Sequence, residues 1–209
     1  MIVRTAALVC IGLWLTLASA LAGDAPAQSA RSAAETMDIL MWNREPVGGP
    51  FVLTDHAGKP RTDRDFRGML MLVYFGFTYC PDVCPTDLMA IGQALERLGP
   101  DADAVQPVFI TLDPERDTAE HLAEYVPLFH PRLLGLTGSL DAIGTAADAY
   151  KVYFAKVTNG KNTDDYTVDH TAYIYLMDRD GKYLGFFPPG TSAERMVEII
   201  RPRLAMPQR

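Results

Sequence analysis

Apolar residues along the chain fall into two kinds of run. Residues 69–77, Met-Leu-Met-Leu-Val-Tyr-Phe-Gly-Phe, are apolar almost without interruption, and residues 105–112 repeat the pattern. Unbroken runs of this length predict strands covered on both faces of a sheet. Between them Leu88, Ile91, Leu95 and Leu98 recur every three or four residues, the spacing of one helical face. Gly99-Pro100 stops that helix, and Pro85 sets its start near Cys84, because proline suits the first turn and clashes deeper in. The same reading predicts short strands over 51–54 and 133–136, and helices over about 118–129, 140–150 and 192–203. It also predicts a strand over 151–157 and a hairpin of strands 171–177 and 182–187 turned at Asp180-Gly181. Strand–helix–strand crossovers followed by one antiparallel hairpin predict an α/β layer fold with a mixed central sheet and flanking helices.

The N-terminus stands apart from this pattern. Arg4 precedes an apolar run over 5–17, and Ala18-Ser19-Ala20 and Ala20-Leu21-Ala22 supply small residues of the kind a signal peptidase cuts beside. The apolar stretch 5–22 is 18 residues long, near the minimum for crossing a bilayer. Residues 1–22 are therefore expected to be a signal peptide or a membrane anchor. Either way the remainder is exported to the periplasm, soluble or held at the inner membrane. Residues 23–44 open rich in Ala, Ser, Gln and Pro and read as a linker, although a short helix fits 33–43. The folded domain is expected over 45–209. The chain is 48% hydrophobic and 22% charged over 209 residues, which suits one globular domain. With 19 Lys and Arg against 26 Asp and Glu, the net charge of -7 makes nucleic acid an unsuitable partner.

Export changes how the cysteines are read. Cys10 lies inside the targeting segment, too near the start to follow a full apolar region, and is discounted as a lipid attachment site. Cys80 and Cys84 remain. In an oxidising compartment such a pair forms a disulfide, holds a metal or cycles between the two. A structural staple is disfavoured by magnitude: closing a five-residue loop contributes about 2 kcal/mol, against about 4.7 for a hundred-residue loop. Both sulfurs are expected at the C-terminal end of a central strand, where α/β sheets tend to place their sites. Cys84 is expected at a helix N-terminus that favours thiolate. Two thiolates make an incomplete tight metal site. Of the histidines, His56, His121 and His130 occupy turn, charged-helix and helix-end positions and read as ordinary polar residues. His170 follows the polar segment 161–169, read as a mobile loop, and is placed at the start of the strand 171–177. Spacing alone does not join it to the thiols.

Several longer motifs carry a resemblance. Residues 49–54 (Gly-Pro-Phe-Val-Leu-Thr), 65–68 (Asp-Phe-Arg-Gly), 74–85 (Tyr-Phe-Gly-Phe-Thr-Tyr-Cys-Pro-Asp-Val-Cys-Pro), 111–118 (Thr-Leu-Asp-Pro-Glu-Arg-Asp-Thr) and 168–171 (Val-Asp-His-Thr) together resemble the Sco/SenC family. Those proteins are copper-handling assembly factors of cytochrome c oxidase with a thioredoxin-like fold. The resemblance runs from about residue 47 to the C-terminus and implies a three-layer thioredoxin-like domain. It also implies one copper ion, Cu(I) or Cu(II), held by Cys80, Cys84 and His170, with 161–169 as the loop that brings the imidazole in. The donors suit that role: soft thiolates select Cu(I), added imidazole nitrogen tolerates Cu(II), and three ligands leave an open side for transfer. Zinc also accepts Cys and His. Asp82 and Asp169 flank the ligands and read as solvated loop acids, the alternative being that one orients His170 or meets a partner. Phe77 and Tyr79 are expected to pack under the site. The 113–118 stretch reads as a strand end and a helix cap.

The resemblance implies a metallochaperone, not an enzyme, that loads the copper A centre of an oxidase subunit and exchanges metal with other copper carriers. The alternative is a thiol-disulfide oxidoreductase that reduces partner cysteines through Cys80 and Cys84. Two departures from the thioredoxin pattern favour metal holding. Three residues separate the cysteines where thioredoxins have two, and the region of His170 and Thr171 contains no proline to face the thiols. A peroxiredoxin-type peroxidase is a weaker third reading, since thiolate position alone does not indicate peroxide chemistry.

Overall fold

The computed structural model describes residues 37, 39–41, 45–158 and 165–205. The expected signal or anchor over 1–22, most of the expected linker, and residues 161–164 of the expected loop lie outside these. In chain order the strands and helices are β1 (Val52–Asp55), β2 (Pro60–Thr62), β3 (Leu70–Gly76), α1 (Val83–Leu98), β4 (Val105–Thr111), α2 (Ala119–Tyr125), β5 (Leu134–Thr137) and α3 (Leu140–Ala149). They continue with β6 (Phe154–Thr158), β7 (Tyr166–His170), β8 (Ile174–Met177), β9 (Tyr183–Phe187) and α4 (Ala193–Leu204).

Seven strands form one mixed sheet in the order β2-β1-β5-β4-β3-β8-β9. β3 lies between parallel β4 and antiparallel β8, and all seven of its residues are buried, which is why its sequence shows no alternation. Its two faces carry different layers. Tyr74 pairs with Phe109 of β4, and Phe109 meets Tyr125 at the end of α2. Phe75 points the other way and packs on Tyr150, just past α3, and on Tyr175 of β8. Helices α1 and α4 pack on each other. The arrangement is the expected thioredoxin-like α/β fold.

The structure departs from the sequence reading in several places, the unread β2 among them. Residues 39–41 are helical, Ile39 and Leu40 are buried, and the Leu40 carbonyl accepts from the Tyr183 hydroxyl at 3.2 Å, so core packing begins upstream of residue 45. Helix α1 starts at Val83, two residues before Pro85. Residues 166–169, read as loop, belong to β7, which pairs antiparallel with β6 in a separate two-stranded ribbon. His170 therefore ends β7 and does not begin the next strand, which runs over Ile174–Met177. The ribbon was hard to read because Val168 is the only buried residue of β7, too little for an apolar alternation.

Candidate metal centre

β3 ends at Gly76, and the chain leaves the sheet through Phe77 and Thr78 before turning at Cys80 into α1. The first N–H groups of any helix lack intrahelical partners. Asp82 stands at the N-cap position but its side chain accepts no capping bond. The Cys80 sulfur takes one of these donors instead, accepting from the Cys84 N–H at 3.4 Å. Cys84 lies in the first turn, fully buried, and Cys80 is partly exposed. Both thiols are free.

His170 arrives on the end of the β6–β7 ribbon, 86 residues beyond Cys84, and its Nε2 stands 3.5 Å from the Cys84 sulfur. Its Nδ1 is 3.1 Å from the Thr171 carbonyl. A carbonyl oxygen can only accept, so Nδ1 carries a proton and donates to it, and Nε2 is the ring nitrogen that faces the sulfur. The ring sits edge-on to Phe77, with centroids 5.9 Å apart. Phe77 thus packs under the site as expected. Tyr79 does not: it is 57% exposed, stacks on His121 with centroids 5.8 Å apart, and lies beneath the Arg116 guanidinium.

The two sulfurs differ in ionisation. The Cys80 thiol is pulled down to about 3, chiefly by the hydrogen bond from Cys84 and, against the cost of burial, by the His170 ring and nearby backbone N–H groups. Cys84 is pushed far up by giving that hydrogen bond and by burial. Of the pair, Cys80 gives up its proton more readily and Cys84 holds its own. Among the described residues no three or more His, Cys, Asp and Glu side chains stand as a ready-made metal cage. The trio is a hydrogen-bonded cluster whose protons an incoming ion would have to displace.

Beneath the sulfurs lie polar residues that the sequence reading did not single out. Asp87 of α1 is fully buried, and its Oδ1 accepts from the Gly190 N–H at 2.9 Å. Burial raises its pKa, partly offset by that bond. The buried Tyr74 hydroxyl lies between Asp87 and Cys84, and its hydrogen bonding tempers the upward shift of both. The signal was present: an acid one turn after Cys84, in line with the buried Leu88 and Ile91, interrupts an otherwise apolar face. Asp117 is also fully buried. Burial raises its pKa, opposed by hydrogen bonds from Thr111 and Thr78.

Asp82 and Asp169 are exposed, and no hydrogen bond joins the side chain of either to the trio. His130 caps a local turn, accepting through Nδ1 from the Arg132 N–H at 3.1 Å, whereas His56 ties its turn to β5, accepting through Nδ1 from the Gly135 N–H at 3.1 Å. His121 is nearer the site than its sequence context suggested, with Nε2 3.0 Å from the Thr78 hydroxyl.

Comparison with known proteins bears on this arrangement. The sequence profile described as SCO1/SenC matches residues 41–205. A mitochondrial SCO2 homolog of Mus musculus is 49% identical over 160 residues, covering 75% of this chain and 62% of its own length. The chain thus spans about six tenths of that relative. Among solved structures, Bradyrhizobium japonicum ScoI with copper bound is 44% identical with a TM-score of 0.70, covering 75% of this chain and 99% of its own. Yeast Sco1 with copper bound is 38% identical with a TM-score of 0.72, covering 78% and 91%. With the profile spanning most of the chain and the fold shared by these structures, this chain belongs to the SCO1/SenC family.

Proposed function

We propose that this protein is a copper metallochaperone: it binds one copper ion through Cys80, Cys84 and His170 and delivers it to the copper A centre of cytochrome c oxidase during assembly, acting in the periplasm as a soluble or membrane-anchored domain. The observation that carries the reading is the meeting of the Cys84 sulfur and the His170 Nε2 at 3.5 Å, with the other ring nitrogen engaged by a backbone carbonyl, the habit of metal-binding histidines. With metal–sulfur bonds of about 2.3 Å and metal–nitrogen bonds of about 2.0 Å, one ion spans that separation at a roughly tetrahedral angle. The donor set fits copper in either state, because thiolates hold Cu(I) and the imidazole extends tolerance to Cu(II). Relatives solved with copper bound add support. Exposure of the Cys80 side leaves a route by which a client's ligands could take the ion over.

Titration of the reduced protein tests this. Wild type is expected to take up one copper per chain. Cys80→Ser and Cys84→Ser should each abolish tight binding of both oxidation states, whereas His170→Ala should weaken Cu(II) more than Cu(I). Unchanged stoichiometry in either cysteine variant would overturn the assignment.

A second reading, thiol-disulfide exchange with a client, is favoured by one feature: a partly exposed Cys80 thiolate backed by a buried Cys84 thiol. A thiolate of such low pKa is a good leaving group but a weak attacking one. Exchange needs no imidazole ligand. Retention of client reduction by His170→Ala, with loss of Cu(II) binding, would separate the two activities.

A further inference from the structure

One motif, 111–118, touches both halves of the candidate centre without supplying a donor to it. Asp117 is fully buried. Its Oδ2 accepts from the Thr78 N–H at 3.0 Å and from the Thr111 hydroxyl at 2.6 Å, and its Oδ1 accepts from the Thr78 hydroxyl at 2.6 Å. Thr78 lies two residues before Cys80. Asp113 is equally buried. Its Oδ1 accepts from the Tyr166 hydroxyl at 2.8 Å, and its Oδ2 is paired with the Arg116 Nε. Arg116 in turn donates from a terminal nitrogen to the Tyr166 carbonyl at 3.2 Å, and its guanidinium lies 3.8 Å over the Tyr166 ring and 4.6 Å from the Tyr79 ring centroid. Tyr166 begins the strand that ends at His170.

We infer that the turn from Asp113 to Asp117 is a clasp that sets the sulfur–imidazole separation, Asp117 holding the cysteine loop through Thr78 while Asp113 and Arg116 hold the histidine ribbon through Tyr166. The physical argument is one of attachment. The β6–β7 ribbon is not hydrogen-bonded into the main sheet, so its position depends on side-chain contacts, and a two-stranded ribbon alone is marginal in water. Tyr166 supplies such a contact with three kinds of bond at once: hydroxyl to carboxylate, carbonyl to guanidinium, and ring face to cation. Because Asp113 is held in turn by its N–H to the Thr111 hydroxyl at 2.9 Å, and that hydroxyl binds Asp117, the two grips share one rigid turn. These are positioning residues. Their effect on the metal rests on the copper site proposed above, but their effect on His170 does not.

Asp117→Asn and Asp113→Asn threaten the fold, so the decisive variants are Tyr166→Phe, which keeps the ring over Arg116, and Thr78→Val, both made in the full chain and checked for a native melting profile. In the metal-free reduced protein, Tyr166→Phe should shift or broaden the His170 imidazole nitrogen resonances, an effect a clasp without hold on the ribbon would not produce. With added copper, Tyr166→Phe should lower Cu(II) affinity about tenfold, as loss of an outer support does, and this loss should vanish in the His170→Ala background. The loss from Thr78→Val should persist in that background, because it acts through the sulfurs. Unchanged His170 resonances in Tyr166→Phe, a Cu(II) loss that persists without His170, or wild-type behaviour of Thr78→Val would each overturn the clasp. Failure of wild type to bind copper would defeat the proposed function and leave the resonance test of the ribbon standing.

Discussion

Single buried acids show how differently one residue type is used in this fold. Asp55 is 1% exposed, yet its pKa is lowered. Burial alone would raise it, and the N–H groups of Lys59 and Ala57 together with the Arg61 guanidinium reverse the effect. Its folded pKa lies below the ordinary 3.8, so its stabilisation is present above that pH and is lost as pH falls through the lower folded value. Asp55→Asn, which imitates the protonated state, should therefore cost about 1–3 kcal/mol near neutrality and progressively less below pH 3.8. Urea midpoints across the acid range check this, and a deficit that stays constant into strong acid would contradict it. Asp117 has the opposite sign: its raised pKa means that ionisation opposes folding as pH climbs through the folded value. Nothing in the local sequence distinguishes these acids, because the deciding partners of Asp117 include Thr78, 39 residues away. Cys80, Cys84 and His170 were legible as candidate donors by residue type alone. Thr118 was legible as a cap, and it does accept from the His121 N–H at 3.2 Å.

Long apolar or strongly periodic elements were read nearly to their ends, since β3, β4 and α1 bury a full face or two and leave that imprint in composition. The short β2 and the second ribbon strand, β7, bury little and left none. Where β3 meets α1, the close fit depends on a missing side chain. A Cβ at Gly76 would stand 2.9 Å from the Cys84 sulfur and 3.1 Å from ring carbons of Phe109 and Tyr74. Gly76→Ala should cost about 1–3 kcal/mol by overpacking and displace the sulfur, visible as altered thiol alkylation rates in the folded protein. Wild-type stability with unchanged alkylation would show that the junction has slack. Gly92, in the middle of α1, meets a harder limit: its Cβ would lie 2.4 Å from the Phe129 carbonyl oxygen, and backbone cannot swing aside as a side-chain tip can.

Across the whole molecule, the boundary of the packed unit is the point where reading the sequence and folding it differ most. Met37, Ile39, Leu40 and Met41 are helical, inside the segment expected to be a linker, and Leu40 is 3% exposed. Leu40→Ala should destabilise the protein by about 2–5 kcal/mol, the range for emptying a buried leucine site, as measured by denaturant unfolding. A neutral result would return residue 40 to the linker. The polar composition before residue 35 sets the local average, and the short apolar run Ile39 to Trp42 does not announce which surface will cover it.

The order of the long strands and helices, the α/β class and the identity of the thiols follow from the one-dimensional pattern, because burial of each long element is paid for by its own residues. The meeting of His170 with Cys84, the shared turn that grips Thr78 and Tyr166, and the split ionisation of two cysteines four residues apart arose only on folding. Each is an interaction between groups distant in the chain or unequal in burial, and neither distance nor burial is written in local order.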